Sequence, residues 1–162
     1  MYFEDLTQYS YLPLFVRPGL LNIGWLDARH PFPTAEPTQE IAAALWRFCR
    51  HSVAQARGFH ECEICTHSPD GLTVVTHGGE TLRLGMAEIR SFGNEGRAFA
   101  APDLIFHYVI AHHYAPPDAF VASVISGPQP GTAEYERSLQ NYLASPAPPP
   151  RPARRKRRER PA

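Results

Sequence analysis

The chain has 162 residues and 43% hydrophobic content, enough for one domain of ordinary size whose core could fold without a metal or a disulfide. The formal net charge is zero, but residues 151–162 carry seven basic residues against one acidic residue, so that +6 lies in this segment and −6 in the rest of the chain. An acidic body repels a phosphate backbone, which leaves nucleic-acid binding possible only through the basic tail.

The first third of the chain predicts an extended segment, a short strand and one helix. Residues 1–15 are rich in aromatic residues and interrupted by proline, which favours an extended segment packed along the body over a helix. Residues 20–26 are expected to form a short strand. Thr38 is suited to cap a helix whose apolar stripe runs to about Gln55, and Cys49 on that stripe is interpreted as a small buried hydrophobic residue.

An antiparallel β meander is predicted for the middle of the chain. After a turn at residues 68–71, strands are expected over residues 72–76 and 81–85, joined by a glycine-containing hairpin connection at residues 77–80. Residues 86–92 are expected to form the third strand of the same meander.

Three further helices are predicted in the C-terminal half. Pro102 is expected near the start of the first, which covers residues 104–114 and is stopped by two consecutive prolines. The second is predicted for residues 117–125 and the third for residues 133–143. These elements indicate the α+β class, with one domain over residues 1–145 that packs a small antiparallel sheet with three or four helices.

The C-terminal segment, residues 146–162, combines consecutive prolines with a block of arginines. It cannot bury enough apolar surface to order itself, so it is predicted to be disordered. It is interpreted as a solvated or partner-binding arm, with nucleic-acid binding through its arginines as an alternative.

The chain carries no signal for a membrane or for export. No apolar run approaches the roughly 18 residues of a membrane span, and no charged-then-apolar segment stands at the N-terminus. Three cysteines, an odd number, build no complete disulfide framework. The prediction is a soluble protein of the reducing cytoplasm. Fifteen of the sixteen basic residues are arginine, a bias typical of a GC-rich genome that points to a bacterial origin.

The segment FHECEICTH, residues 59–67, carries the clearest chemical motif of the chain. Cys62 and Cys65 are separated by two residues, a spacing at which both thiolates can turn toward one tetrahedral metal ion, and such a pair supplies half of a closed site. Two other interpretations remain open, a redox pair and two small core residues. The flanking Glu61 and Glu63 disfavour the redox pair, because carboxylates raise the pKa of a neighbouring thiol.

The helix predicted for residues 104–114 offers the other half of a site. His107 and His112 are separated by four residues, within the spacing that two-histidine halves of zinc sites use. Residues five positions apart point roughly 140° apart on a regular helix, so a local distortion near the end of the helix is expected. His112 is preferred to His113 as a ligand, and His60 remains an alternative.

These two halves predict a structural metal site. The predicted ligands of a zinc ion are Cys62, Cys65, His107 and His112. Asp103, one turn before the first histidine, is expected to accept its second ring proton. Two thiolates and two imidazoles fill a tetrahedral shell, which favours a structural ion in a non-enzymatic protein whose acidic surface binds a protein partner. The alternative is a metal-dependent hydrolase with an open site, in which a neighbouring glutamate, Glu61 or Glu63, acts as the base.

Four blocks of the chain carry a resemblance to a known family. They are YFEDLTxY from Tyr2, NIGWL from Asn22, HxCExC from His60 and APDLIxHYVxxHxYxPPxxF from Ala101. Together they resemble a family of small uncharacterised bacterial proteins classed as a domain of unknown function. The resemblance covers residues 1–126, and its last block is the most specific. It implies that the four predicted ligands occupy motif positions together, and it implies no particular activity.

Overall fold

The computed structural model describes residues 1–55, 58–65 and 73–146, and these contain six strands and four α-helices. The strands are β1 (Leu20–Asn22), β2 (Ala54–Gln55), β3 (Thr73–His77), β4 (Glu80–Leu84), β5 (Ala87–Phe92) and β6 (Ala98–Pro102). The helices are α1 (Gln39–Cys49), α2 (Ile105–His112), α3 (Asp118–Ser126) and α4 (Ala133–Ala144), with single 3₁₀ turns at Pro13–Phe15 and Asn94–Gly96. The predicted α+β class is confirmed. The predicted turn at residues 68–71 and the predicted tail from residue 147 onward lie outside the described residues.

The described strands form two sheets. The larger has the order β1-β6-β5-β2, in which β1 and β6 run parallel and the other neighbours antiparallel. The smaller is the β3–β4 hairpin, closed by Gly78 and Gly79 at φ values of 58° and 80°. The predicted third strand of the meander is β5, but it pairs with β6 and β2 instead of with β4. Gly85, at φ 97°, turns the chain from the hairpin into the larger sheet.

Helix α1 begins where predicted and ends earlier. Its N-cap is Thr38, whose side chain accepts a hydrogen bond from the backbone N–H of Ile41 (3.2 Å). The predicted extension to Gln55 is wrong, because α1 ends at Cys49 and Ala54–Gln55 pairs with β5 as strand β2. Pairing at the edge of the sheet gives the backbone N–H and C=O groups of this short segment hydrogen-bond partners. This gain decides its conformation despite the helix-like sequence pattern.

Strand β6, like β2, is not predicted from the sequence. Ala98–Pro102 lies between β1 and β5, and all five of its residues are buried. Helix α2 is predicted to start near Pro102 and reach Tyr114, whereas it begins at Ile105 and ends at His112. A short apolar run does not distinguish a buried strand from the first turn of a helix. Helices α3 and α4 lie within one residue of their predicted bounds.

The larger sheet is covered on both faces. On one face Ser91 of β5 hydrogen-bonds to Ser123 of α3, with 2.7 Å between their Oγ atoms, and α1 packs against α2 and α3. On the other face Phe92 meets Tyr135 and Tyr142 of α4. Helix α2, which carries the predicted histidine ligands, is thus anchored in the core through α1. Within the described ranges, no helix is both long and apolar enough to cross a membrane.

The N-terminal segment runs along the body, as predicted, and is joined to it by buried hydrogen bonds to a charged residue of β5. An isolated bridge pairs Phe3 with Trp25. Further along, the hydroxyl of Tyr9 lies 2.8 Å and 3.0 Å from the two carboxylate oxygens of Glu88. The same carboxylate lies 2.6 Å from the guanidinium of Arg90, and both charged side chains are almost completely buried. This network fixes the N-terminal segment against β5.

Candidate metal centre

Two segments far apart in the sequence form the candidate site, and the first is the cysteine segment, residues 58–65. It contains no strand or helix. The backbone N–H of His60 donates to the carbonyl oxygen of Gly85 (2.7 Å), and the His60 ring Nε2 lies 3.0 Å from the hydroxyl of Tyr11. These contacts lay the segment across the β4–β5 connection and direct the His60 ring to Tyr11. The second segment is helix α2.

The four predicted ligands converge between these segments. Cys62 Sγ lies 3.2 Å from His112 Nε2. Cys65 Sγ lies 3.2 Å from His107 Nε2 and 3.3 Å from His112 Nε2. The two Nε2 atoms are 3.2 Å apart. One donor atom of each residue lies within 4.8 Å of all the others, so the group could hold a metal ion.

These separations suit a tetrahedral ion better than a network of hydrogen bonds. Metal–sulfur bonds of about 2.3 Å and metal–nitrogen bonds of about 2.0–2.1 Å place nitrogen atoms roughly 3.4 Å apart and sulfur roughly 3.6 Å from nitrogen. The observed distances are a few tenths of an ångström shorter. His112 Nε2 has three such neighbours, although a neutral ring nitrogen donates or accepts a single hydrogen bond. One ion at the centre accounts for all of these contacts at once.

Helix α2 presents both histidines without losing its regular form. It is helical through His112, and the predicted distortion lies one residue later, where His113 adopts φ 55°. On a regular helix Tyr108 points between His107 and His112, and the centroid of its ring lies 6.1 Å from that of the His107 ring and 6.4 Å from that of the His112 ring. The His113 ring turns to Glu36, with Nδ1 3.2 Å from Oε1. The cluster therefore contains His112 rather than His113.

Asp103 does not orient His107. Its Oδ1 accepts the backbone N–H of Gly85 at 2.7 Å, and its Oδ2 accepts those of Met86 and Ala87 at 3.4 Å and 3.2 Å. The predicted contact with the histidine ring is wrong, because β6 extends to the preceding residue. That extension places the carboxylate beside the β4–β5 connection instead of in the first turn of α2.

Burial sets the protonation of the ligand atoms. It lowers the pKa of His107 to about 4, with a further lowering by the nearby His112. Burial and the neighbouring His113 lower the pKa of His112 as well. Burial raises the pKa of the Cys62 thiol to about 11. At neutral pH the imidazoles can therefore donate lone pairs, whereas the thiol keeps its proton until a metal displaces it. A raised thiol pKa also disfavours the redox interpretation.

The carboxylates next to the cysteines belong to a neighbouring cleft. Glu61 and Glu63 line this cleft together with Asp103 and Tyr108, and its volume is about 490 Å³ with the open space at its mouth included. None of the four predicted ligands is among the described residues that line it. Glu63 Oε1 lies 2.9 Å from the amino group of Met1. A hydrolytic site needs a cavity that reaches the ion, and this cleft does not provide one.

The third cysteine is separate from the cluster. Cys49 is buried at the end of α1, and its Sγ lies 3.4 Å from the backbone oxygen of Asp103. Burial raises the pKa of its thiol, with a further contribution from the Asp103 carboxylate. Its interpretation as a small buried residue is confirmed.

The candidate site lies in a stretch that a known family covers. Residues 1–125 match the family described as Domain of unknown function (DUF7919). The chain belongs to this family. The DUF7919 match includes all four predicted ligands and ends within α3. Neither a curated protein nor a solved structure matches the chain. The predicted resemblance to a domain of unknown function is confirmed, and it brings no activity with it.

Proposed function

We propose that this chain is a non-enzymatic zinc-binding protein whose ion ties the cysteine segment to helix α2. The proposal is carried by one observation, the convergence of two thiols and two imidazoles within 4.8 Å of one another. Two sulfur and two nitrogen donors in a tetrahedral arrangement are typical of structural zinc sites. The ligands are Cys62, Cys65, His107 and His112.

The donor set favours a structural ion over a catalytic one. A catalytic zinc ion keeps one position open for water or substrate, whereas four protein ligands fill a tetrahedral shell. The ion would join a segment without strand or helix to a helix anchored in the core, across 42 positions of the chain between Cys65 and His107. Its role would be to hold this segment and the surface around it in one conformation.

The surface so formed suits a protein partner. The chain outside residues 151–162 carries a net charge of −6, so a partner with a basic surface would be complementary to it. The basic tail remains a second route of binding, and loss of heparin retention on removal of residues 146–162 would support nucleic-acid binding through it. Thiols that must stay reduced to bind zinc favour a reducing compartment such as the cytoplasm.

Metal analysis of the purified protein tests the zinc site. We expect about one equivalent of zinc per chain and its loss in the Cys62→Ser variant. The matched control is Cys49→Ser, which removes a thiol outside the cluster and should retain the metal. The proposal is refuted if the parent protein binds no zinc, and equal stability of the parent and the Cys62→Ser variant would contradict a structural role of the ion.

Cobalt(II) in place of zinc distinguishes a structural site from an open hydrolytic one. Its visible spectrum reports the coordination geometry, and a closed shell offers no position for an added anion. We therefore expect azide or thiocyanate to leave the spectrum unchanged. A spectrum that changes on addition of the anion would instead favour the hydrolase, with Glu61 or Glu63 as the base.

A further inference from the structure

The side chain of Asp103 holds the connection between β4 and β5. It is 4% exposed and accepts hydrogen bonds from three consecutive backbone amides, those of Gly85, Met86 and Ala87. The backbone N–H of Asp103 also donates to the carbonyl oxygen of Ala87 (2.9 Å). Because this residue lies two positions before α2 begins, it joins the start of the histidine helix to the connection.

Gly85 joins the same connection to the cysteine segment. Its carbonyl oxygen accepts the backbone N–H of His60 at 2.7 Å. A Cβ atom at this position would lie 2.2 Å from the carbonyl oxygen of His60, a distance that real Cβ atoms do not show, and φ is +97°. Only glycine therefore allows the cysteine segment to approach this closely.

These contacts form one continuous link between the two halves of the metal centre. It runs from the start of α2 through the Asp103 carboxylate to Gly85, and from Gly85 to His60, two residues before the first cysteine ligand. We propose that Asp103 and Gly85 are positioning residues of the metal centre, which hold the cysteine segment at ligand distance from α2 before the ion binds. This inference rests on the proposed zinc site.

The physical advantage of such a link is preorganisation. A segment without regular structure loses conformational freedom when its thiols bind a metal, and that loss weakens binding unless the segment is already ordered. The burial of a carboxylate is unfavourable without donors, and burial raises the pKa of Asp103 to about 6 despite its three amide donors. The ordered β4–β5 connection therefore depends on the unfavourable burial of a carboxylate, which a turn held only by its own backbone hydrogen bonds would not need.

The test compares the zinc affinity of full-length variants at pH 8, measured by competition with a chromophoric chelator. We expect Gly85→Ala to lower the affinity by at least roughly tenfold, although all four ligands remain. The matched control is Gly78→Ala, which also replaces a glycine at positive φ, 58°, but at a position where a Cβ meets nothing within 4 Å. Its affinity should equal that of the parent.

Substitutions at Asp103 supply a second, independent arm. Asp103→Ala removes every acceptor and should lower the affinity as Gly85→Ala does. Asp103→Asn keeps an Oδ1 for the shortest bond, to Gly85, and should recover part of the loss. If Asp103 only stabilised the fold, its substitution would lower the melting temperature of the metal-free protein but would change neither the zinc affinity of the folded state nor the cobalt(II) spectrum.

The outcomes separate the two proposals. If the parent binds zinc and both Gly85→Ala and Asp103→Ala bind it as tightly, the positioning role is overturned while the zinc site stands. If the parent binds no zinc, the proposed function fails and the positioning role fails with it. If Gly85→Ala does not fold, the comparison of Asp103→Ala with Asp103→Asn tests the positioning role. A difference in zinc affinity between these two variants supports that role. Equal affinities that match the parent overturn it.

Discussion

Removal of the metal should lower the stability of the protein substantially without unfolding it. The ion would cross-link residues 42 positions apart, Cys65 and His107. A cross-link that closes a loop of this length contributes about 4 kcal/mol through chain entropy if it persists in the unfolded state. If the ion leaves on unfolding, zinc at about 100 to 1,000 times its dissociation constant stabilises the fold by about 3–4 kcal/mol. The chain-entropy estimate and the binding estimate therefore predict a similar loss of folding free energy on removal of the metal.

Differential scanning calorimetry with and without a chelator measures this contribution. For a chain of this size, about 3–4 kcal/mol corresponds to a shift in melting temperature of roughly 6–16 °C. The metal-free protein should still unfold in one cooperative transition, because none of the four predicted ligands belongs to the buried core, and only Cys62 packs against it. In Cys62→Ser the chelator should cause no further shift. A shift of less than about 2 °C in the melting temperature of the parent, with metal removal verified, would show that the ion does not stabilise the fold.

Three further predictions follow from individual residues. Zinc affinity should rise at least about tenfold per pH unit between about pH 6 and 8, because the Cys62 thiol, whose pKa is raised to about 11, must release a proton when zinc binds. His107, whose pKa is lowered to about 4, is already neutral in this range. A flat affinity profile in chelator competition would contradict this. His113→Ala should bind zinc as tightly as the parent by isothermal titration calorimetry, since that ring faces away from the cluster, and a tenfold loss would make it a ligand. Glu88→Gln should destabilise the fold by about 3–5 kcal/mol in urea unfolding, because it leaves the buried charge of Arg90 without its partner, and a loss under about 1 kcal/mol would show that the pair contributes little.

The four residues of the cluster could be predicted because metal chemistry constrains the local spacing of ligands. Two residues between Cys62 and Cys65, and four between His107 and His112, are readable without any knowledge of the fold. Whether the two halves meet depends on tertiary packing, and the structure brings all four donors together. That they bind zinc stays a prediction. The choice of His112 followed from spacing alone, and the left-handed turn at His113 supplies its structural reason.

The parts of the fold that could not be predicted depend on contacts distant in sequence. Ala98–Pro102 is a buried strand because β1 and β5 lie on either side of it, and its continuous apolar sequence shows no alternation with polar residues to indicate this. Residues 54 and 55 leave the helical pattern for the same reason, since the edge of the sheet pairs with them. The role of Asp103 was hidden because its partners are backbone amides 16–18 positions earlier, which leave no pattern in the sequence.

In the proposed metal centre, one zinc ion is bound by two cysteines and two histidines. X-ray absorption at the zinc edge of the purified, full-length protein measures the ligand shell directly. We expect two sulfur atoms at about 2.3 Å and two nitrogen atoms at about 2.0–2.1 Å, with no further oxygen ligand. A shell of nitrogen and oxygen alone, or one that contains a single sulfur and a water-type oxygen, would contradict it.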